Sequence, residues 1–573
     1  MKRICLLVFL LFVTVLSQAR IVPREEAARR ASELFRSARP ASVGSQQAAP
    51  QLVRESKCTY IFENEGGGFA IVSADDVAAP ILGYSLEDRF PKDDIPVNLQ
   101  SLLDWYDRVI SYAQSQGWAA SSMVQASGSE TEVKLKTARW GQGSPFNDLS
   151  PTVDGQKCPS GCVATAQAII MKYYNYPERG TGVLPGYDYG SYGQYHMDGY
   201  ELGHVYDWDN MPEKSSGFTE YEAAQIAQLL FDIGVMSEMN FGPDGSGASS
   251  MSPLKLTRYF SYDKSMRYYY RDMFSTAAWE QMIRDEIDAG RPVFHCGFNP
   301  NGGHAFVMDG YKGRYFSINY GWAGGSAWYL ISPIEGHEKD LTAFNEGQDM
   351  VLHIMPDAGG EPFVNVQVPD SYLPFRWNFE DKTIWGGWFW LWDYSAEPGV
   401  VELAYALYDR DEQFKQVLSE SVRLNSGTDY MPEVTITLPD RIADGDWILL
   451  ARRDGKVWTP LPQSRRSCIR FDRSRKLPQM LSVGHSFGNP DNYEANGQPM
   501  LFFELYKDVW WSITSATGER VLVDSAMEDG YPVTTKMLDA DSGLTRFIIK
   551  LPSGSYRMTL RNFDDELSFT FDL

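Results

Sequence analysis

The hydrophobic pattern of this 573-residue chain changes near residue 357, and that change limits what the chain can fold into. Before it, apolar residues recur at helical spacing, as in 99–113, between short strand-like runs. After it, short β-prone runs separated by turn residues continue to the C-terminus, which is typical of β-sandwiches. A chain of this length exceeds one ordinary core. We therefore expect mixed α and β domains followed by an all-β region.

Composition excludes two classes of partner. Hydrophobic residues make up 43% of the chain, which is ample for folded domains. The formal net charge is −23, whereas nucleic acids and anionic membranes both require a basic surface. We expect a globular protein that binds neither.

The N-terminus has the pattern of a secretory signal. Lys2 and Arg3 precede an apolar run over 4–16, and small residues occupy the cleavage positions in 17–19. The alternative, an uncleaved membrane anchor, is disfavoured because the run is short for a bilayer. No later segment is predicted to cross a membrane. The pattern predicts a signal peptide over 1–19 and a secreted or cell-surface protein.

Five cysteines remain after signal removal, which is too few for a disulfide framework in so long a chain. They are Cys58, Cys158, Cys162, Cys296 and Cys468. Cys158 and Cys162 are separated by three residues, not the two of a redox CxxC motif, and zinc needs further nearby ligands. No metal or cofactor is predicted. A Cys158–Cys162 disulfide stays open because the compartment is oxidising.

Cys162 is the stronger candidate for a nucleophile. It opens a helical stretch that ends before Pro177, and Gly161 allows close backbone approach at the preceding turn. A thiol at a helix N-terminus lies near the positive end of the helix dipole and unpaired N–H groups. Both favour the thiolate, so we expect a lowered thiol pKa.

A nucleophilic cysteine needs a base, and His304 is placed to supply one. It follows Cys162 by 142 residues, within the roughly 130–150 of papain-like enzymes, and Gly303 leads it from a loop into an apolar run. Asn319 follows 15 residues later at a strand end, where its amide can accept the imidazole N–H. Gln142 in RWGQGSPFN can donate its amide to an oxyanion. Taken alone, each residue is more often structural; together they indicate a Cys-His-Asn site.

At these residues the chain resembles the streptopain-like cysteine peptidases, which include streptopain and interpain and are secreted bacterial enzymes of the papain fold. The resemblance covers about 133–356, through WGQGSPFN, GCVATAQAIIMKYYNYP, YDWDNMP, FGPDGSGASS, GGHAFVMDGY and INYGWAGG. The earlier segment GGGFAIVSADDVAAPILGYS resembles the family's inhibitory prodomain.

The resemblance assigns roles to single residues. It implies that Cys162 is the nucleophile, His304 the general base and Asn319 the residue that orients the histidine. Gln142 is then the oxyanion donor and Trp322 the aromatic that shields the site.

Two positions depart from the family pattern: Tyr320, commonly Trp, and Ala323, commonly Gly. The GPDGSGASS loop is also shorter than in streptopain. We expect catalysis to survive these changes, whereas the resemblance does not predict the shape of the substrate subsites near the loop.

The predicted organisation is an α+β papain-like peptidase domain between a small α/β prodomain and sandwich-like β domains. Its parts are a signal peptide over 1–19, an inhibitory prodomain over 20–125, a linker and maturation region over 126–132, a peptidase domain over 133–356, a β-sandwich-like domain over 357–477 and a C-terminal β domain over 478–573 for secretion or attachment.

The predicted function is that of a secreted cysteine endopeptidase made as a zymogen. The resemblance implies broad action on protein or peptide substrates, a preference for a hydrophobic residue at the P2 position of the substrate, and inhibition by its own prodomain. The alternatives are a papain-fold cell-wall amidase or acyltransferase, and a non-enzymatic adhesin with a degenerate peptidase domain. The aromatic cluster WGGWFWLW at 385–392 is expected to fill a sandwich core, with glycan or protein binding as the alternative.

Overall fold

The structure is a computed structural model of the chain. It describes residues 19–37, 48–92, 95–122, 131–299, 302–334, 348–368, 376–378, 383–386, 389–439, 441–443, 445–462, 469–470, 482–485, 499–506, 510–516, 521–524, 533–537, 544–551, 554–561 and 566–572. The predicted signal peptide up to residue 18, Cys468 and the predicted boundary at 477 lie outside these residues.

The described helices all end before residue 290. They are α1 (Arg24–Ser37), α2 (Val97–Ser115), α3 (Cys162–Tyr174), α4 (Glu220–Met236), α5 (Pro253–Phe260) and α6 (Thr276–Asp288). The start of α4 is a capping box: the Thr219 side chain accepts the Glu222 N–H, and the Glu222 side chain accepts the Thr219 N–H. In α2, the predicted apolar face, including Leu99 and Ile110, is buried.

The strands of the N-terminal and central regions precede residue 353. They are β1 (Gln51–Glu55), β2 (Thr59–Glu63), β3 (Phe69–Ser73), β4 (Ile81–Ser85), β5 (Glu132–Lys134), β6 (Thr152–Val153), β7 (Gln156–Lys157), β8 (Val183–Leu184), β9 (Tyr187–Tyr189), β10 (Tyr195–Met197), β11 (Tyr200–Glu201), β12 (Arg267–Tyr270), β13 (Val293–Asn299), β14 (Gly302–Lys312), β15 (Tyr315–Asn319), β16 (Ala327–Tyr329) and β17 (Gln348–Leu352).

The remaining strands make up the β-rich C-terminal region. They are β18 (Val366–Gln367), β19 (Arg376–Asn378), β20 (Thr383–Gly386), β21 (Phe389–Trp390), β22 (Trp392–Asp393), β23 (Val400–Tyr408), β24 (Phe414–Val417), β25 (Val422–Asn425), β26 (Tyr430–Met431), β27 (Val434–Thr437), β28 (Trp447–Asp454), β29 (Val457–Pro460), β30 (Ile469–Arg470), β31 (Ser482–His485), β32 (Pro499–Tyr506), β33 (Trp510–Ser515), β34 (Val521–Asp524), β35 (Val533–Met537), β36 (Leu544–Lys550), β37 (Ser555–Arg561) and β38 (Glu566–Asp572).

One antiparallel sheet runs through both the N-terminal region and the central domain. Its order is β1-β2-β3-β4-β16-β15-β14-β13-β17-β12, and β5 pairs with β14. One face of its central part packs against α3, α4 and α5, and the other packs against α2 and α6. The N-terminal strands join the rest at β4 and β16, where Tyr84 pairs with Trp328 and Gly83 with Tyr329. The N-terminal region therefore continues the sheet of the central domain.

The C-terminal region has a core of its own, centred on β23 and β28. The short β-prone runs predicted after residue 357 include those that form β23, β27 and β28. The fold class, an α+β domain between a small α/β region and a β-rich region, is confirmed.

Both predictions for the aromatic cluster at 385–392 stay predictions, because the side chains of Trp385, Trp388 and Phe389 lie outside the described part of the chain. Trp392 packs against Tyr270 of the central domain, with ring centroids 5.1 Å apart, and Trp390 is partly exposed beside Tyr430. By contrast, Trp511 further along the chain is fully buried. The cluster thus serves in part to join the C-terminal region to the central domain.

Candidate active site

Cys162 is the first residue of α3, and the turn before it requires glycine. Gly161 has a φ of 88°, and a Cβ placed there would lie 2.6 Å from Met239 Sδ. The Cys162 thiol faces β14 and accepts backbone N–H bonds from Ala305, from Val163 and from its own amide. These bonds lower the thiol pKa, but burial raises it by more, so the net shift is upward. The expected thiolate is therefore not favoured in this arrangement.

His304 lies on β14, one residue before Ala305, and its ring is almost completely buried. Its Nε2 is 3.1 Å from the carbonyl oxygen of Tyr320. Because a carbonyl only accepts, Nε2 carries the hydrogen and Nδ1 keeps the lone pair that a base needs. Burial lowers the imidazole pKa to about 4, against a smaller opposite effect of the Tyr320 carbonyl. The ring is therefore neutral at physiological pH.

Trp322 covers one face of that ring. The two rings stack with centroids 5.7 Å apart and planes 16° from parallel. Trp322 is itself 41% exposed, so it separates His304 from solvent. This is the position that a shielding aromatic requires.

Asn319 differs from the expectation, because its amide does not contact the imidazole. Its Nδ2 donates to Thr137 Oγ1 at 3.0 Å and to the Ala138 carbonyl at 2.9 Å, and its Oδ1 accepts the Gly321 N–H at 3.1 Å. The carbonyl of Tyr320 accepts the imidazole N–H of His304, the contact that was expected of the Asn319 side chain. Asn319 thus fixes the backbone that carries that carbonyl. A backbone acceptor leaves no mark in the residue types, so sequence reasoning missed it.

Gln142 is buried, and its Nε2 has no hydrogen-bond partner among the described residues. Its backbone carbonyl accepts the Ser160 N–H at 3.0 Å, which ties its loop to the turn before Cys162. A buried donor without a partner costs about 1–3 kcal/mol. Such a donor near a candidate nucleophile is suited to an oxyanion that forms only during reaction.

The other described cysteines are free and buried: Cys58, Cys158 and Cys296. Since Cys162 is also free, the open alternative of a Cys158–Cys162 disulfide is wrong. Within the described part of the chain, no group of His, Cys, Asp and Glu side chains is arranged to hold a metal ion. His295, which precedes Cys296 in the sequence, is a core residue: its ring stacks on Phe306, and burial lowers its pKa to about 3.

The N-terminal region is joined to the central domain by contacts that sequence reasoning also missed. Tyr106 on α2 places its hydroxyl 2.9 Å from the Leu82 carbonyl and 2.7 Å from the Leu330 carbonyl, on opposite sides of the junction. Asp88 forms a 2.6 Å ion pair with Arg139, three residues before Gln142. Long-range partners of this kind are not visible in local sequence spacing.

The fold and site define the chain as a papain-like cysteine peptidase with an inhibitory N-terminal segment. The model of the Peptidase C10 family matches residues 140–329, and that of the Spi protease inhibitor matches 19–110. Streptopain of Streptococcus pyogenes is 32% identical over 324 residues, which cover 52% of this chain and 80% of streptopain. The chain belongs to the streptopain (C10) family of cysteine peptidases.

Two further relatives are similar over different spans. The thiol protease/hemagglutinin PrtT of Porphyromonas gingivalis is 30% identical over 441 residues, which are 71% of this chain and half of PrtT. A prointerpain A fragment from Prevotella intermedia is 31% identical, and the match covers 55% of this chain and the whole of that fragment, with a TM-score of 0.46.

The described helices include none that is both long and apolar enough to span a bilayer.

Proposed function

We propose that the chain is the zymogen of a secreted cysteine endopeptidase that cleaves proteins through Cys162 and His304. The observation that carries the proposal is their placement on α3 and β14. The Cys162 thiol accepts the N–H of Ala305, the residue next to His304, while the hydrogen on His304 Nε2 leaves Nδ1 with a lone pair. Nucleophilic catalysis needs a base with an available lone pair that can reach the thiol, and His304 is the residue next to Ala305 along β14.

The reaction follows from these groups. His304 Nδ1 takes the thiol proton, and the Cys162 sulfur bonds to the peptide carbonyl carbon. The Gln142 amide and the Cys162 N–H then bind the oxyanion, each donor contributing about 3–4 kcal/mol to the transition state. When the C–N bond breaks, His304 returns the proton to the leaving amine. Water, activated by His304, hydrolyses the thioester and restores the thiol.

Latency is supported by the electrostatics and by the shared sheet. Burial raises the pKa of Cys162 and lowers that of His304, so both groups are neutral in this structure, which includes the N-terminal region. Removing this prodomain, proposed as 20–125, breaks the β4–β16 pairing and the Asp88–Arg139 ion pair next to the site. We propose that this release allows the thiolate–imidazolium pair to form.

The contacts of β5 favour a maturation cut on the N-terminal side of this strand, as in the proposed region 126–132. Lys134 Nζ lies 2.7 Å from a carboxylate oxygen of Asp309, which is fully buried on the same strand as His304. Cleavage before Glu132 keeps this ion pair in the mature enzyme. Cleavage after Lys134 would leave Asp309 buried without its cation, which is costly.

Substrate preference, export and domain limits are parts of the same proposal. We propose that the enzyme acts on many proteins and prefers a hydrophobic residue at the P2 position of the substrate. We also propose a peptidase domain over 133–356 and β domains over 357–477 and 478–573. The domain over 478–573 serves secretion or surface attachment. If deleting 478–573 leaves export and cell-surface retention unchanged, that role is wrong.

The first test follows the intact mass of the purified proprotein with time under mild reduction. The parent should lose its first 120–135 residues, and Cys162→Ala should stay whole. If both stay whole, trypsin is added to remove the prodomain, and iodoacetamide labelling of Cys162 is measured. Labelling supports an enzyme that another protease activates, whereas no labelling refutes the nucleophile and leaves a degenerate peptidase.

A substrate comparison separates the endopeptidase from other thiol enzymes of this fold. The matured enzyme should hydrolyse casein, and Cys162→Ala should not. Release of muropeptides from cell wall without casein hydrolysis would refute the endopeptidase in favour of an amidase.

A further inference from the structure

A row of paired residues crosses the peptidase sheet from the candidate nucleophile to the C-terminal β region. Ala305 on β14 pairs with Cys296 on β13, Cys296 with Asp349 on β17, and Asp349 with Tyr270 on β12. Directly paired residues point to the same face of a sheet. With neighbours about 5 Å apart, the row spans about 15 Å. It begins at the Ala305 N–H, which bonds to the thiol of Cys162.

Asp349 is a carboxylic acid buried in the middle of this row. The Ser250 hydroxyl donates to it at 2.6 Å and lies 3.6 Å from Cys296 Sγ. Burial raises the Asp349 pKa to about 6, against the opposing effect of hydrogen bonds from Ser250, Tyr268 and Cys296. Because the Ser250 hydroxyl donates its hydrogen to Asp349, the orientation of this hydroxyl is fixed, and its oxygen lone pairs point away from Asp349.

Ser250 ends the loop over 241–250, and that loop lies against the turn that presents the nucleophile. The Ser246 hydroxyl in this loop donates to the Pro159 carbonyl at 2.7 Å. The Ser246 carbonyl oxygen would lie 3.0 Å from a Cβ placed on Gly161. The loop is therefore a wall of the site beside Cys162, and Asp349 holds its far end.

The other end of the row is held by the C-terminal β region. The hydroxyl of Tyr394 lies 2.6 Å from that of Tyr270, and the Tyr394 ring stacks on Tyr268 with centroids 4.1 Å apart. The Asn365 side chain donates to the Tyr268 carbonyl at 2.9 Å. Tyr394 thus contacts Tyr270, which pairs with Asp349, and Tyr268, which lies two residues away on the same face of β12.

We propose that Tyr394 is a positioning residue for the peptidase site. Through Tyr270 and Tyr268, Tyr394 fixes Asp349, and Asp349 in turn fixes the loop over 241–250. The C-terminal β region is then part of the machinery that shapes the substrate cleft, besides any role in export. This inference rests on the proposed peptidase function, because turnover of peptides is its main readout.

The test compares full-chain variants after maturation. Tyr394→Phe keeps the ring stacking and loses the hydroxyl, whereas Tyr394→Ala loses both. The matched control is Tyr408→Phe, which removes a hydroxyl 3.0 Å from the Trp458 carbonyl in the same region but away from the row. We expect kcat/KM for a protein substrate to fall about fivefold in Tyr394→Phe, the effect of one hydrogen bond, and further in Tyr394→Ala.

A second readout separates positioning from general loss of structure. Iodoacetamide is too small to need the loop, so its rate with Cys162 should stay within twofold of the parent in Tyr394→Phe while KM for the protein substrate rises. Parent-like kcat/KM in Tyr394→Ala overturns the inference. Equal losses of turnover and alkylation in Tyr394→Phe and Tyr408→Phe also overturn it.

Amide hydrogen exchange of the loop tests the inference without activity. In the Cys162→Ala zymogen, adding Tyr394→Ala should speed exchange over 241–250, while adding Tyr408→Phe should not. Unchanged exchange overturns the inference even in a chain that cleaves nothing. A parent that neither cleaves protein nor reacts at Cys162 refutes the proposed function separately.

Discussion

The hydroxyl of Tyr106 gives a quantitative test of how the prodomain holds the peptidase. Tyr106→Phe removes the group that lies between the Leu82 carbonyl of the prodomain and the Leu330 carbonyl of the peptidase. Leu330 is almost fully buried, so in the complex its carbonyl loses its partner and water does not replace it. In the separated proteins both carbonyls are hydrated, and the variant costs little.

A buried acceptor left without a partner costs about 1–3 kcal/mol, and every 1.4 kcal/mol is tenfold in affinity. The inhibition constant of a 20–125 fragment should therefore rise about 5- to 150-fold on Tyr106→Phe. The assay is inhibition of the matured peptidase in trans, with circular dichroism to show that each fragment is folded.

Tyr60→Phe is the matched control, because Tyr60 lies on β2 of the same region, which β3 separates from the junction strands β4 and β16. It should inhibit like the unchanged fragment. If folded Tyr106→Phe also inhibits within twofold of the unchanged fragment, the reasoning from the Leu330 carbonyl is refuted.

Three further predictions concern the site and its supports. Gln142→Ala should lower kcat about 10²- to 10³-fold while leaving the Tm of the zymogen unchanged or higher, since it removes an unpaired buried donor; a lower Tm with normal kcat would contradict this. The His304 pKa of about 4 lies below the unfolded value near 6.5, so the unfolded state binds more protons and stability falls as the pH is lowered. Urea unfolding of Cys162→Ala should therefore lose about 1.6 kcal/mol between pH 6.5 and 5, and Cys162→Ala/His304→Gln should not; equal losses would contradict the burial argument. Lys134→Met leaves the Asp309 carboxylate buried without its cation and should lower the free energy of unfolding in urea by about 3 kcal/mol. Lys136→Met, which removes an exposed ion pair, should lower it by less than about 1 kcal/mol. Equal losses in the two variants would count against the Lys134–Asp309 ion pair.

The elements with strong local patterns were predictable from the sequence. The apolar spacing of α2 and the runs that became β23 and β28 each report one buried face, and burial of that face decides the element. Gly161 followed by Cys162 marked the start of α3 because glycine there allows a backbone angle that other residues avoid.

What the sequence did not reveal depends on contacts between distant parts of the chain. The thiol pKa was expected to fall at the helix start, but burial under β14 outweighs the N–H bonds that Cys162 accepts. The histidine's partner is the backbone carbonyl of Tyr320, which residue types do not encode. The row from Ala305 to Tyr270 exists only through strand register, and no spacing along the chain predicts it.

The pairing of β4 with β16 means that cutting the linker and freeing the enzyme are separate events. Before the cut, the two regions are one molecule and meet at a high effective concentration. After it, the same backbone ladder and the Tyr106 contact hold two chains together, so separation becomes an equilibrium between two species. A concentrated, fully nicked sample can therefore remain inactive and become active on dilution, which makes the local concentration of the nicked enzyme a determinant of when it works.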